Sequence, residues 1–189
     1  MVGAANARTG SLVMTTRDHA MFYQVIAQCT QALKNVETWL DKAEQHAALK
    51  KYDVAVLMTS RLSPDQYHFI RQVQSACDYV KFAAARLSGQ TPTKHEDAEQ
   101  TIDDLRERIK KTIEFAQSVK ETQYTSASER KVGVTWAPPG EVIRGADYLL
   151  QLTIPNMYFH VTTAFAILRH NGVDVGKMDF LRPVNLVDA

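Results

Sequence analysis

Three polar side chains follow one another along a predicted helix near the C-terminus. Asn156, His160 and Thr163 are four and three residues apart, which places them on one helical face. Apolar residues extend this face on both sides: Leu149, Leu152 and Ile167. A polar group buried without a partner costs about 1 to 3 kcal/mol. The face therefore indicates either a buried polar network or a ligand pocket, and His160 alone also fits a core histidine that fixes helix register.

Asp78 is the second candidate for chemistry, and it lies in a polar row with Gln74 and Lys81 on another predicted helix. If its carboxylate faces the interior, it can meet His160. Such a pair could orient the imidazole for acid-base chemistry or help to hold a metal ion. The alternative is a surface ion pair between Asp78 and Lys81, which are three residues apart. The sequence leaves both alternatives open.

The composition excludes several functional classes. Lys and Arg number 22 against 21 Asp and Glu, a formal net charge of +1, so no overall field attracts nucleic acid or an anionic membrane. No run approaches the roughly 20 apolar residues of a membrane-spanning helix, and the first residues lack the layout of a secretory signal. We expect a cytoplasmic protein with neither nucleic-acid nor membrane partners. Zinc signatures, phosphate-binding glycine loops and nucleophile elbows are absent from the sequence.

The two cysteines are not expected to be catalytic. Cys29 and Cys77 both fall at apolar positions of predicted helices. Free cysteine in such a position behaves as a small buried hydrophobe. We predict structural roles for both.

Four amphipathic helices must position these residues. The first has Thr15 or Thr16 as its predicted N-cap and follows residues 1–14, which we expect to form a disordered tail. Its apolar stripe has helical spacing and consists of Phe22, Ile26, Cys29, Leu33, Val36, Leu40, Ala43 and Ala47. The second helix is predicted to start at the N-cap Ser63, with Gln66 completing a capping box, and to end at Ser88-Gly89.

The later elements are less regular. Thr93 and Glu96 predict a capping box for the third helix, which runs to Val119. Residues 124–144 predict an irregular crossover, in which the alternating run 131–136 is compatible with a small β-hairpin. The fourth helix begins at Ala146 or Asp147 and ends at Asn171-Gly172, with a bend or a restart at Pro155. The tail should fold back on the helices through Val175, Met178, Phe180 and Leu181.

Four helices with one apolar stripe each have few ways to bury those stripes except against one another. The predicted fold is therefore all-α, a four-helix bundle formed by a single domain spanning residues 15–189. The connections before the second and fourth helices are long enough to cross the bundle.

Three segments resemble a known family: "SRLSPDQYHFIRQVQSACDYVKFAAARLSG", "TPTKHEDAEQTIDDLRERI" and "NMYFHVTTAFAILRHNGVDVGKMDFL". In this order they are similar to a bacterial and fungal domain-of-unknown-function family within the DinB/YfiT-like superfamily, over about residues 19 to 182. The resemblance implies a bundle with the mirror variant of up-and-down topology, often assembled as a homodimer.

The resemblance also implies a position for a metal site. Characterised relatives in the superfamily are metal-dependent thiol transferases or isomerases that hold a divalent ion with three histidines, one on the second helix and two on the fourth. By position these ligands fall at Asp78, Asn156 and His160, and two of the three are not histidine here. A carboxylate, an amide and one imidazole make a poor zinc site. We expect no cofactor, and these three residues are weak candidates for a divalent metal.

The predicted function is binding of a small molecule in a polar cleft inside the bundle. Its floor would consist of Asp78, Asn156, His160 and Thr163, with aromatic walls from Tyr158, Phe159 or Phe165. One alternative is a dimeric structural or interaction module without a ligand, in which the polar face only fixes register. The second alternative is a divalent-metal-dependent enzyme of the thiol-transferase type.

Overall fold

Four long helices dominate the computed structural model, which describes residues 16–188. The helices are α1 (Thr16–Lys50), α2 (Ala55–Met58), α3 (Phe69–Ser88), α4 (Ile102–Ser118), α5 (Gly145–Asp147), α6 (Ile154–His170) and α7 (Lys177–Leu181). A 3-10 turn (Glu121–Tyr124), strands β1 (Lys131–Val132) and β2 (Ile143–Arg144), and a π-helical segment (Tyr148–Thr153) complete the chain. The tail predicted for residues 1–14 lies outside the described residues. Within residues 16–188, no helix is long and apolar enough to cross a membrane.

The bundle consists of α1, α3, α4 and α6. Helix α3 packs against both α4 and α6, and α1 packs against the same two helices. Because α4 and α6 make almost no contact in the described part of the chain, they lie on the long diagonal of the bundle, and α1 and α3, which also contact each other, lie on the short one. The connections before α3 and before α6 therefore cross the bundle, as their length allowed. The all-α four-helix bundle is confirmed.

The predicted stripe of α1 forms one side of the core. All eight of its residues are buried, and Trp39, which lies beside the stripe, is fully buried as well. Its ring contacts those of Phe165 and Phe180, and its indole nitrogen donates to the carbonyl oxygen of Asp179 at 3.3 Å. Of the tail residues, Val175 is buried and Phe180 packs on the core, whereas Met178 and Leu181 are exposed. The tail therefore folds back through only two of its four predicted contacts.

Helix α3 begins six residues after its predicted N-cap. Its N-cap is His68, whose Nδ1 accepts a hydrogen bond from the backbone N–H of Arg71 at 3.3 Å. The hydroxyl of Ser63 donates to the carboxylate of Asp65 at 2.5 Å and does not cap a helix. The predicted capping box at Ser63 is therefore wrong, because a neighbouring acceptor holds this hydroxyl in a local turn.

Helix α4 also begins later than predicted. Thr101 is the N-cap, and a capping box forms between its hydroxyl and Asp104, not between Thr93 and Glu96. The sequence thus contains two successive capping signatures. Because the helix starts at the second signature, the preceding segment stays outside the helix, and its acidic side chains Asp97 and Glu99 bind the buried Arg108.

The crossover contains the small hairpin that the sequence allowed. Strands β1 and β2 are antiparallel, with Lys131 opposite Arg144. The last helical stretch starts directly after β2 at Gly145. This position requires glycine, because a Cβ there would lie 1.8 Å from the carbonyl oxygen of Ala127. The π-helical segment follows, and regular α-helix restarts at Ile154, next to Pro155. The restart predicted at this proline is confirmed, and Gly172 follows the helix end with φ at +85°.

Candidate functional site

A cleft of about 380 Å³ lies between α3 and the last helical stretch. The α3 side contributes Arg71, Ser75, Asp78, Tyr79, Phe82 and Arg86. The other side consists of Tyr67, Tyr148, Leu152 and His160, together with Val134, Thr135 and Trp136 from the loop between β1 and β2. This volume falls in the range typical of small-molecule pockets.

The structure separates the four predicted site residues. Asp78 and His160 line the cleft, whereas Asn156 and Thr163 do not. The Asn156 amide donates to the carbonyl oxygen of Leu152 at 2.8 Å, and the Thr163 hydroxyl donates to that of Phe159 at 2.7 Å. Both bonds run back to the preceding turn of their own helix, a common arrangement for these residue types. The polar face on the last helix is therefore not one network.

His160 lies at the centre of the cleft wall and is buried, with 8% of its surface exposed. Its ring is nearly parallel to the rings of Tyr79 and Tyr67, with centroid distances of 5.8 Å and 6.5 Å. The ring of Phe159 meets it edge-on at 5.2 Å. The imidazole is thus held in place by aromatic contacts on α3, on the turn before it and on its own helix.

The tautomer of His160 follows from its hydrogen-bond partner. The Gln72 side-chain nitrogen donates to the carbonyl oxygen of Tyr67 at 3.0 Å, which leaves its Oε1 as the acceptor that faces His160. The His160 Nδ1 lies 2.7 Å from this oxygen and must therefore carry the proton. Nε2 keeps its lone pair and has no hydrogen-bond partner among residues 16–188. A bound molecule can therefore donate to Nε2.

The same surroundings keep His160 neutral. Burial lowers the pKa of His160 to about 4, and the positive charge of Arg71 adds to this shift. Burial in an apolar environment costs the charged imidazole more hydration energy than the neutral one, so the neutral form is favoured. At neutral pH this side chain is therefore a hydrogen-bond acceptor toward the cleft and not a cation.

Asp78 does not pair with His160, contrary to one of the two expectations. Its carboxylate accepts from the Lys81 ammonium at 2.8 Å and from the Arg108 guanidinium at 2.9 Å. The pair with Lys81 is not a surface pair either, because the Lys81 side chain is only 2% exposed. Arg108 is buried and also binds Asp97 at 3.0 Å and Glu99 at 2.9 Å. Asp78 thus belongs to an ionic cluster at the edge of the cleft, in which the two cations are buried and the carboxylates are partly exposed.

The metal ligands implied by the resemblance do not meet in the structure. The carboxylate of Asp78 is already neutralised by two cations, and Asn156 is not in the cleft. In the part of the chain that the structure describes, no three His, Cys, Asp or Glu side chains are grouped to hold a metal ion. The residues present therefore do not fit a three-ligand divalent site.

Most of the cleft wall consists of residues that the sequence pattern did not indicate. Tyr158, Phe159 and Phe165 were predicted as aromatic walls, but none of them lines the cleft. The walls are instead formed by five other aromatic residues: Tyr67, Tyr79, Phe82, Trp136 and Tyr148. Four of these lie in the predicted helices but outside their apolar stripes, or next to the helix ends. The spacing of apolar residues does not indicate what such residues contact. Only their aromatic character, and for Tyr79 and Phe82 their nearness to Asp78 along the chain, could have suggested a role.

Arg86 was also missed. Its guanidinium lies 4.8 Å from the ring centroid of Phe82 and 5.7 Å from that of Tyr148, and it donates to the Tyr148 hydroxyl at 3.2 Å. Within residues 16–188 no carboxylate forms a salt bridge with Arg86. A half-buried cation held between aromatic rings is therefore available to a ligand.

A wider depression of about 630 Å³ lies beside α4. Its lining is mostly charged and of both signs: Lys94, Glu96, Glu99, Asp104, Glu107, Arg108, Lys111 and Glu114. Several of these charges pair with one another, and few aromatic groups accompany them. We therefore consider the smaller cleft at His160 to be the better candidate site.

Crossed diagonals, a short hairpin and a cleft between the second and fourth long helices together define a DinB-like helical bundle. The crystal structure at 1.83 Å of a DinB family member protein from Shewanella denitrificans is similar, with a TM-score of 0.89. The two sequences are 40% identical over 93% of this chain and 99% of that chain. The family model for the domain of unknown function DUF1993 matches residues 21–181, and the chain belongs to this family. No curated protein gives a significant match.

Proposed function

We propose that this protein binds a small molecule in the cleft between α3 and the last helical stretch. The observation that carries the proposal is the state of His160, a neutral imidazole whose Nδ1–H donates to Gln72 and whose Nε2 has no hydrogen-bond partner among the described residues. Nε2 is not among the buried unpartnered side-chain atoms of residues 16–188, so it reaches the open cleft, where a bound molecule can donate to it in place of solvent.

The other groups of the cleft support the same proposal. Aromatic rings supply contact area with little conformational entropy to lose, and a few polar groups at fixed positions supply orientation. Tyr79 is fixed against His160, and Arg86 is fixed against Tyr148. The cleft therefore has the composition of a preformed ligand site.

Fragment binding tests the proposal. A library of small aromatic fragments can be screened by saturation-transfer NMR and by the fluorescence of Trp136, which is 67% exposed, whereas Trp39, the other tryptophan, is fully buried. We expect fragments that change Trp136 emission to lose most of their binding in Tyr79→Ala. Tyr23→Ala is the matched control, because Tyr23 is also partly exposed but lies against Tyr124, outside the cleft.

Two results would contradict the proposal. The first is a screen in which no fragment changes Trp136 emission. The second is a set of fragments that bind Tyr79→Ala and His160→Ala as tightly as the unmodified protein, because the cleft would then not be their site.

A homodimer is a second proposal, favoured by the apolar surface of the C-terminal segment. Met178 is 51%, Leu181 46% and Leu186 88% exposed. Burying such a surface against a second copy is the usual way in which it is removed from water. Light scattering should give twice the chain mass of 21.3 kDa, and Leu181→Gln with Leu186→Gln should give the monomer. A monomeric unmodified protein would contradict the assembly.

The enzyme alternative has its own measurement. Metal analysis of purified protein would support a divalent-metal enzyme if a stoichiometric ion were present and were lost in His160→Ala. The matched variant is His46→Ala, because His46 lies near Gly172 and does not line the cleft.

A further inference from the structure

The charges of the cleft are balanced with one exception. Arg71 forms a salt bridge with Asp97, and Asp78 accepts from two cations. Arg86 is held only by aromatic rings and a phenol hydroxyl, with no carboxylate partner within residues 16–188. The charge left over in the cleft is therefore positive, and it calls for an anionic group on the ligand.

The surroundings of Arg86 restrict the shape of that ligand. Its guanidinium is oriented by the rings of Phe82 and Tyr148, and a guanidinium fixed in this way presents its N–H groups in a planar fork that suits a carboxylate. The remaining lining includes Tyr79 and the exposed indole of Trp136. These rings favour a flat ligand that can stack on them.

The opposite end of the cleft requires a donor. Tyr79, which stacks on His160, precedes Arg86 by seven residues on α3, so the two positions are roughly 10 Å apart along the helix. The Nε2 lone pair of His160 lies at the Tyr79 end and can only accept a hydrogen bond at neutral pH. The ligand must therefore place a hydroxyl or N–H there.

From these three observations we infer that the ligand of this cleft is a planar aromatic carboxylate with a hydrogen-bond donor at the end opposite its carboxylate. The carboxylate pairs with Arg86, the ring stacks between the aromatic side chains, and the donor reaches Nε2 of His160. This inference rests on the proposed function and adds the chemical class of the ligand.

Three matched probes test the inference: the planar acid trans-3-(4-hydroxyphenyl)prop-2-enoate, its primary amide, and its 4-methoxy analogue. The first has both groups, the second lacks the charge and the third lacks the donor. Dissociation constants can be measured by NMR titration at low ionic strength, with Trp136 fluorescence as a second readout. We expect the dissociation constant of the hydroxy acid to be at least about tenfold lower than that of either analogue. Each analogue loses one hydrogen bond, the amide a charged one and the methoxy compound a buried one, and such a loss corresponds to about this factor.

Two variants assign the preference to residues. In Arg86→Gln the acid and the amide should bind equally, and added salt should no longer weaken binding of the acid. Arg169→Gln removes the same charge from an exposed arginine paired with Asp174, outside the cleft, and should keep the full preference. Arg86→Lys retains the charge without the fork and should keep only part of it. Thermal unfolding of each variant shows whether the fold is intact.

The outcomes separate the inference from the function on which it rests. If the three probes bind the unmodified protein equally well, or if Arg86→Gln keeps the preference for the acid, the inference is wrong and the cleft still binds small molecules. If none of the three probes binds but other aromatic fragments change Trp136 emission, the ligand class is wrong and the proposed function stands. If no fragment of any kind binds, both are wrong.

Discussion

The strongest physical prediction concerns the pH dependence of stability that arises from His160. Burial lowers its pKa to about 4 in the folded protein, against about 6.5 in an unfolded chain. Because the folded pKa is depressed, the unfolded state binds the proton more readily as the pH falls. The stability that the neutral ring contributes is complete above about pH 6.5 and is lost progressively down to about pH 4.

The magnitude follows from the two pKa values. The full difference of about 2.5 units corresponds to roughly 3.4 kcal/mol at about 1.36 kcal/mol per unit. Between about pH 7.5 and pH 4.5 the protein should lose about 2.5 kcal/mol of unfolding free energy through this residue. The side chain is 8% exposed, so screening by solvent reduces this value only modestly.

Urea unfolding of the unmodified protein and of His160→Gln measures the effect. Other titrating groups contribute to both curves and largely cancel in their difference. We expect the unmodified protein to lose about 2.5 kcal/mol more than the variant over this pH range. Differences below about 0.5 kcal/mol, or an NMR titration of the His160 ring centred near pH 6.5, would refute the burial argument.

Three further predictions concern the rest of the fold. Arg108→Met removes a buried cation that binds three partly exposed carboxylates, those of Asp78, Asp97 and Glu99. The free energy of unfolding in urea should fall by about 1.5 to 3 kcal/mol, and a loss below about 0.5 kcal/mol would mean that these ion pairs contribute little to stability. Burial raises the pKa of both Cys29 and Cys77 to about 12. Neither thiol should therefore react with DTNB near pH 8 until the protein unfolds, and fast labelling of the folded protein would contradict this. In Gly145→Ala the new Cβ would lie 1.8 Å from a backbone carbonyl oxygen, so the backbone must move. The thermal midpoint should fall by several degrees relative to Gly133→Ala, whose Cβ meets nothing within 4 Å. Equal midpoints for the two variants would contradict the steric argument.

The helices themselves could be predicted because each carries its own evidence. When apolar residues recur every three to four positions, the α-helix is the regular structure that places them on one face. The apolar stripe from Phe22 to Ala47 is buried as expected. The starts of α3 and α4 could not be predicted as reliably. Each of these two helices is preceded by an earlier capping signature that the structure does not use. For α4, the segment before the N-cap Thr101 is instead bound by Arg108, a contact between residues that lie outside the capping turn.

The candidate site was predictable in part. His160 was identified correctly as a polar group that the fold buries. Its partners were not identified, because Gln72 lies 88 residues away and the contact depends on how α3 and α6 are rotated about their axes. A rotation of one residue, about 100°, would turn a different face toward the cleft.

The sequence by itself determined four amphipathic helices, the burial of both cysteines and the presence of an imidazole in an apolar face, since each depends on residues close together in the chain. Only the tertiary structure decided which polar groups satisfy one another. In it Asp78 pairs with Arg108, and Asn156 and Thr163 bond to their own helix. Nε2 of His160 has no partner in the part of the chain that the structure describes and can accept from a ligand. The physical reason is that a hydrogen bond needs its two atoms within about 3 Å, and in a bundle with crossed diagonals that distance is set by helix packing.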